Sequence, residues 1–282
     1  METPLFVSVE WLYQHIDDAK IRIIDIRGHV SSAQLPPPHY FAHHEAYKES
    51  HLPHAVFVDW TEDIVEPGSH SYDALNPDDF EKLASSLGID KDTYVIVYDD
   101  AQSMFAARMW WILKYYGHEK VSVLNGGWNK WLEMGYPITD LVPQIEAKPF
   151  QVKIDPQFHV NADYILSKLE DKQTAIMDVR SVGEFAGEAS RAKRFGHIPG
   201  AINLPRSELV SEVEQLPSHN ILADQFQKIG LDDPNQEIIV YCNGGVSASY
   251  GMMALIEAGY KQVRLYDGSW KDWGNDSEKP IE

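Results

Sequence analysis

The chain has 282 residues, 44% of them hydrophobic and 24% charged, enough for two domains that each bury a core and too apolar for disorder. Its 24 basic and 43 acidic residues leave a net charge of −19, which argues against a nucleic-acid backbone or an anionic membrane surface as principal partner. No stretch approaches the roughly 18 uninterrupted apolar residues of a membrane span. The start METPLFVSVEWLYQ also lacks a basic segment followed by an apolar core, so the chain reads as cytoplasmic.

Taken in order, short β-branched runs at 21–26, 55–58, 94–98 and 121–124 alternate with helical patterns at 8–15, 77–87 and 104–116. The alternation then repeats, with strands at 175–179, 201–204, 237–241 and 262–266 and helices at 162–168, 223–229 and 247–258. The halves match in detail. RIIDIRG at 22–28 pairs with AIMDVRS at 175–181, and SHLPHAVFVD at 50–59 with GHIPGAINLP at 196–205. YVIVYDD at 94–100 pairs with EIIVYCN at 237–243, and VSVLNGGWNKW at 121–131 with VRLYDGSWKDW at 263–273. Asp178 follows Asp25 by 153 residues and Trp270 follows Trp128 by 142, so order is kept while the first half carries a few extra residues.

Continuous apolar strands between helices predict an α/β fold, two duplicated domains each with a parallel sheet covered by helices on both faces. The boundaries expected are 1–142 for the first domain, a proline-bearing linker at 143–157, and 158–282 for the second.

Cys242 is the one cysteine, which excludes internal disulfides and cysteine-cluster metal sites and fits a reducing compartment. It ends an apolar strand, and Asn243, Gly244, Gly245 and Val246 must turn the chain before Ser247 begins a helix. Two glycines permit a curl whose N–H groups point inward, so the loop and the helix N-terminus are expected to face the sulfur and stabilise a thiolate or persulfide anion. Nearby in sequence, 190–206 carries Arg191, Lys193, Arg194 and Arg206 with no acid, a basic island suited to an anion.

On these paired segments and the YCNGGVSAS loop, the chain closely resembles the tandem-domain rhodanese family of sulfurtransferases, which includes thiosulfate and 3-mercaptopyruvate sulfurtransferases. The resemblance spans nearly the whole chain. It implies that Cys242 takes a sulfane sulfur as a persulfide and passes it to a thiol or cyanide, with no cofactor. It also implies a non-catalytic first domain, where Asp99 stands at the position of the cysteine. Thiosulfate-type loops follow the cysteine with basic residues and mercaptopyruvate-type loops with Gly-Ser-Gly; this loop reads Asn243-Gly244-Gly245. Glu184 stands where mercaptopyruvate-type members carry an arginine, and Arg191 is the best match to a second family arginine, with Arg194 the alternative. The expected donor-binding set is therefore Arg191 or Arg194 with Asn243, Gly244, Gly245, Val246 and Ser247. Thiosulfate is the favoured donor and 3-mercaptopyruvate the alternative; a rival of another class is a non-catalytic binding or sulfide-sensing module.

Other motifs carry less. Position 248 is Ala, so the Cys-x5-Arg pattern that holds a phosphoryl group is missing. Gly245-Val246-Ser247-Ala248-Ser249 lacks the last glycine of a nucleophile elbow. His39, His43 and His44 follow Pro36-Pro37-Pro38 without a carboxylate pattern and read as surface residues rather than a metal site. His51 and His197 occupy equivalent positions and read as structural, as do the Asp25/Arg27 and Asp178/Arg180 pairs. Trp128/Trp131 and Trp270/Trp273 read as core anchors of matching helices.

Overall fold

The recurring apolar runs become two copies of one parallel sheet in a computed structural model that describes residues 3–32, 35, 36, 38–211 and 216–282. The chain divides into two units. The first holds Met1–Ser31, Pro37–Pro67 and Ala74–Asp155; the second holds Ser32–Pro36, Gly68–Asp73 and Pro156–Glu282.

In the first unit β1 (Phe6–Val7), α1 (Val9–Gln14), β2 (Ile21–Asp25), β3 (Gly28–Val30), β4 (Tyr40–Ala42), α2 (His44–Glu49) and β5 (Val56–Phe57) come first. They are followed by α3 (Pro77–Ser86), β6 (Tyr94–Tyr98), α4 (Met104–Tyr115), β7 (Val121–Leu124) and α5 (Gly127–Glu133). The sheet order is β1-β7-β6-β2-β5, all parallel, with β3 and β4 forming a separate antiparallel pair. Val95, Ile96, Val97 and Tyr98 of β6 are all buried, as a strand covered on both faces requires. Helix α3 begins where Asn76 accepts the Asp79 N–H at 3.1 Å and Pro77 presets the first turn.

The second unit repeats the plan with β8 (His159–Val160), α6 (Ala162–Lys168), β9 (Thr174–Asp178), α7 (Val182–Phe185) and β10 (Ile202–Asn203). Then come α8 (His219–Lys228), β11 (Glu237–Tyr241), α9 (Val246–Glu257), β12 (Gln262–Tyr266) and α10 (Ser269–Trp273). Its order β8-β12-β11-β9-β10 matches the first sheet strand for strand. Tyr241, Tyr266, Trp270 and Trp273 lie in one buried cluster with Ile176 and Ile239.

Residues 143–155, expected as linker, run along the first unit: Lys148 N–H binds the Ser85 carbonyl at 3.1 Å and Asp155 N–H the Tyr115 carbonyl at 2.8 Å. In each unit the Asp-x-Arg pair is buried and tied. Arg27 Nε donates to both Asp25 oxygens at 3.0 and 2.9 Å, and Arg180 Nε to both Asp178 oxygens at 3.1 and 2.9 Å. The guanidinium groups lie over Trp128 and Trp270, and each donates to a carbonyl just before His51 or His197. Both histidines have structural bonds: His51 Nδ1 to the Tyr47 carbonyl at 2.7 Å and His197 Nδ1 to that of Phe185 at 2.9 Å. His43 and His44 open a helical turn rather than a loop, and His43 Nδ1 lies 2.7 Å from Asp100 Oδ2. Pro37, within the expected proline loop, lies outside the described residues. Among the described residues no helix is long and apolar enough to cross a membrane.

Candidate active site

At the carboxyl end of β11 the chain must leave a central strand and enter α9 within a few residues, and the loop residues are fitted to that path. Gly245 takes φ +73° as the residue before the helix, a conformation that a side chain disfavours. Gly244 has no such twist, but a Cβ there would meet the Ser71 carbonyl oxygen at 2.6 Å, so the segment Gly68–Asp73 is packed directly onto the loop. Val246 and Ser247 are the first two residues of α9, and Cys242 is 4% exposed.

The loop is anchored from the other side by α10. Ser269 Oγ accepts hydrogen bonds from the Cys242 and Gly245 N–H groups, both at 3.1 Å, and donates to the Tyr266 carbonyl. Trp270 N–H binds the Cys242 carbonyl and Lys271 N–H the Asn243 carbonyl, each at 3.0 Å. One of the N–H groups expected to face the sulfur, that of Gly245, thus faces the buried Ser269 hydroxyl instead. Ser269 adopts φ +52°, a strained state for a residue with a side chain, whereas the matching position of the first unit is Gly127 at φ +51°.

The equivalent loop of the first unit shows what such a curl holds. Asp99 Oδ1 accepts from the N–H groups of Ala101 and Ser103 at 2.9 Å, and Oδ2 from Phe105 at 2.8 Å and Ala106 at 2.9 Å. Four backbone donors therefore close on one buried carboxylate. The last two belong to the second and third residues of α4, whose counterparts in α9 are Ser247 and Ala248.

Glu184, at the position where mercaptopyruvate-type members carry an arginine, is tied to the Cys242 loop. It lies in the short helix α7, where Ser181 Oγ donates to its Oε2 at 2.9 Å. Its Oε1 accepts from Asn243 Nδ2 at 2.8 Å and lies 3.5 Å from Arg191 Nε. One carboxylate thus joins the loop to the basic segment. Arg194 is engaged elsewhere: its guanidinium donates to the carbonyls of Lys279 and Trp273 at 2.9 Å, and also to that of Asp276. Of the two arginines considered for the donor, Arg191 is the one beside the loop.

Sequence reasoning missed Ser269 and, beside it on α10, Lys271. Lys271 is 8% exposed, and its ammonium lies 4.0 Å from the centre of the Tyr72 ring. Burial, followed by the neighbouring Arg191 charge, pushes it down to about 8, while the Cys242 charge acts in the opposite direction. With Arg191, Lys193, His70 and Ser71 it lines an open cavity of about 670 Å³ whose lining stops short of Cys242. Asn129, its repeat partner in the first unit, is exposed. That divergence was the available signal.

The rhodanese-like domain family matches residues 8–134 and again 161–276, and the chain belongs to that family. The sulfur carrier protein TtuD of Thermus thermophilus is 32% identical over 98% of this chain and 96% of its own length. The thiosulfate sulfurtransferase of Gallus gallus is 31% identical over 95% of this chain and 92% of its own. The structure of the 3-mercaptopyruvate sulfotransferase SseA from Escherichia coli superposes with a TM-score of 0.84 at 33% identity, covering 95% of this chain and 99% of that one. The domain duplication read from the sequence is that of two rhodanese domains in tandem.

Proposed function

We propose that this chain is a sulfurtransferase that carries a sulfane sulfur on Cys242, taking it from thiosulfate and delivering it to a thiol or cyanide. The observation that carries the reading is the contrast between the two loops. The first unit closes its curl on the Asp99 carboxyl group, and the second puts a cysteine at the same position. A site shaped to hold negative charge, given a side chain that gains and loses charge-bearing sulfur, suits a persulfide intermediate.

The chemistry has two steps. The Cys242 thiolate attacks the outer sulfur of thiosulfate; a new S–S bond forms, the old one breaks, and sulfite leaves with the bonding pair. The persulfide anion so formed is held by the loop and the N-terminus of α9. An acceptor thiolate or cyanide then attacks the terminal sulfur and releases the Cys242 thiolate. With 3-mercaptopyruvate the leaving group would be the pyruvate enolate, which takes a proton. Ser269 keeps the curl in shape, and Glu184 holds Asn243 and Arg191 in register.

Thiosulfate is preferred here because Glu184 meets Arg191 where a donor carboxylate would need a second arginine. 3-Mercaptopyruvate remains the second reading, favoured by a loop that has no charged residue after the cysteine. The reading places the reaction in the cytoplasm, where thiol acceptors abound and the lone Cys242 stays reduced. The test is side-by-side kcat/KM for the two donors with cyanide as acceptor, and the same assay on Cys242→Ser. Thiosulfate should be the better donor and the variant inactive. A preference of about tenfold or more for 3-mercaptopyruvate would reverse the donor, and turnover by the variant would overturn the cysteine's role.

A further inference from the structure

Cys242 must meet donors and acceptors that arrive from solvent, yet it is 4% exposed, and the cavity lined by His70, Ser71 and Lys271 stops short of it. The sulfur is shut in. The segment packed onto its loop is Gly68–Asp73, which clusters with the second unit although the chain on either side, up to Pro67 and from Ala74, belongs to the first.

The two ends of this segment are drawn together, because Val65 and Ala74 form an antiparallel bridge and Leu75 N–H binds the Ile64 carbonyl at 3.0 Å. Between them the chain makes a compact Ω-type excursion. Ser69 closes it internally: its Oγ donates to Asp73 Oδ2 at 2.7 Å and accepts from the Ser71 and Asp73 N–H groups at 3.2 and 3.1 Å. Tyr72 is held at φ +65°, a strained state for a residue with a side chain, and such strain persists only where neighbouring contacts maintain it. Those contacts are with the site. A Cβ on Gly244 would meet the Ser71 carbonyl oxygen at 2.6 Å, and the Tyr72 ring lies 4.0 Å from the Lys271 ammonium. Gly244 has no positive φ, so glycine is required there by the carbonyl above it and not by the path of the chain. At the other end Gly68 takes φ +80° with no atom within 4 Å of where its Cβ would stand, a point about which the segment can turn unhindered.

We propose that Gly68–Asp73 is a lid over the Cys242 loop that sets specificity by size, admitting small donors such as thiosulfate and short thiol acceptors and shutting out bulky ones. This rests on the sulfurtransferase reading and deepens it by naming the segment that controls access to the sulfur. Carbonyl against glycine and ring over ammonium are individually weak contacts, so the lid can lift and return within a turnover. A small anion needs a brief, narrow opening. A bulky one needs the whole seal broken at once.

The experiment measures access to the thiol without requiring sulfur transfer, and Cys242 is the one cysteine that can report. Rates of alkylation by iodoacetamide and by N-phenylmaleimide are taken on the whole chain, folded and in urea, and their ratio cancels changes in thiolate reactivity. The bulky-to-small ratio of the folded chain should lie about tenfold or more below that of the unfolded chain. It should rise about fivefold or more in Tyr72→Ala and stay near wild type in Tyr72→Phe, which keeps the ring. Among sulfur donors, benzenethiosulfonate should gain on thiosulfate in kcat/KM in Tyr72→Ala; no gain contradicts selection by size. A folded ratio equal to the unfolded one, or a ratio unmoved in Tyr72→Ala, overturns the lid. Because alkylation forms no persulfide, a gated thiol in a chain that takes up no sulfur upholds the lid while refuting the transferase, and an ungated thiol in an active chain does the converse. If Tyr72→Ala does not fold, Gly244→Ala replaces it, since its methyl group wedges against the Ser71 carbonyl: a raised ratio supports the lid and an unchanged one contradicts it.

Discussion

Glu184 Oε1 accepts a 2.8 Å hydrogen bond from Asn243 Nδ2 while lying 3.5 Å from Arg191 Nε, so one oxygen shapes the loop and offsets the nearest arginine. The two roles separate by substitution. Glu184→Gln can still accept from Asn243 but no longer neutralises Arg191, so thiosulfate KM should fall, by about threefold to tenfold. Glu184→Ala loses both contacts and should lower kcat as the loop loosens. Steady-state kinetics on the pair tests this; a KM for Glu184→Gln at or above wild type contradicts it.

Asp99 is a stability residue. Removing its carboxylate strands four backbone N–H groups, three of them in buried bonds, so Asp99→Ala should cost roughly 2–4 kcal/mol. Urea unfolding measures it. Sulfur loading of the folded variant should remain close to wild type, because the chemistry resides on Cys242; a loss of loading as deep as that of Cys242→Ser would show the first unit acting directly.

Ser269 combines strain with two hydrogen bonds, and substitution can separate these. Ser269→Gly relieves the left-handed backbone while removing the acceptor, so stability should stay within about 1 kcal/mol while sulfur uptake slows about tenfold. Ser269→Ala keeps the strain and strands the same N–H groups, and should be clearly less stable. Unfolding curves and single-turnover uptake distinguish them; equal uptake by wild type and Ser269→Gly contradicts the role.

The buried Lys271 makes stability pH-dependent. Burial and then Arg191 hold its pKa down to about 8, against the opposing Cys242 charge, so the ammonium is present below that pH and lost above it. The folded value lies below the ordinary 10.5, so the charged form costs stability below about 8, and that cost is relieved as pH climbs toward the unfolded value. Urea unfolding of the wild type and Lys271→Met should therefore show the wild type gaining on the variant as pH rises above about 8. A difference between the two that stays constant across this range contradicts the lowered pKa.

How much of this was written legibly in the sequence depends on length and on company. Central strands such as β6 and β11 announce themselves because both faces are covered and, Glu237 at the start of β11 apart, every residue is apolar or aromatic. Edge strands β1 and β8 are two residues each, too short for any periodicity, and β3 and β4 are only three residues each, Gly28-His29-Val30 and Tyr40-Phe41-Ala42. The cysteine stood out through strand-end position and glycines. Ser269 and Lys271 did not, because the Trp270/Trp273 spacing accounted for their helix as core, and nothing local reveals that Gly68–Asp73, almost 200 residues earlier, folds over Lys271. The sequence favoured Arg191 over Arg194 but left both open; the carbonyls around Arg194 and the Glu184 carboxylate beside Arg191 separate them.

The most direct measurement is intact-mass spectrometry of the whole chain after incubation with thiosulfate and removal of excess donor. The account predicts one added sulfur atom per chain, discharged by cyanide with formation of thiocyanate, and no addition to Cys242→Ser. An unchanged mass in the wild type, or the same gain in Cys242→Ser, would contradict it.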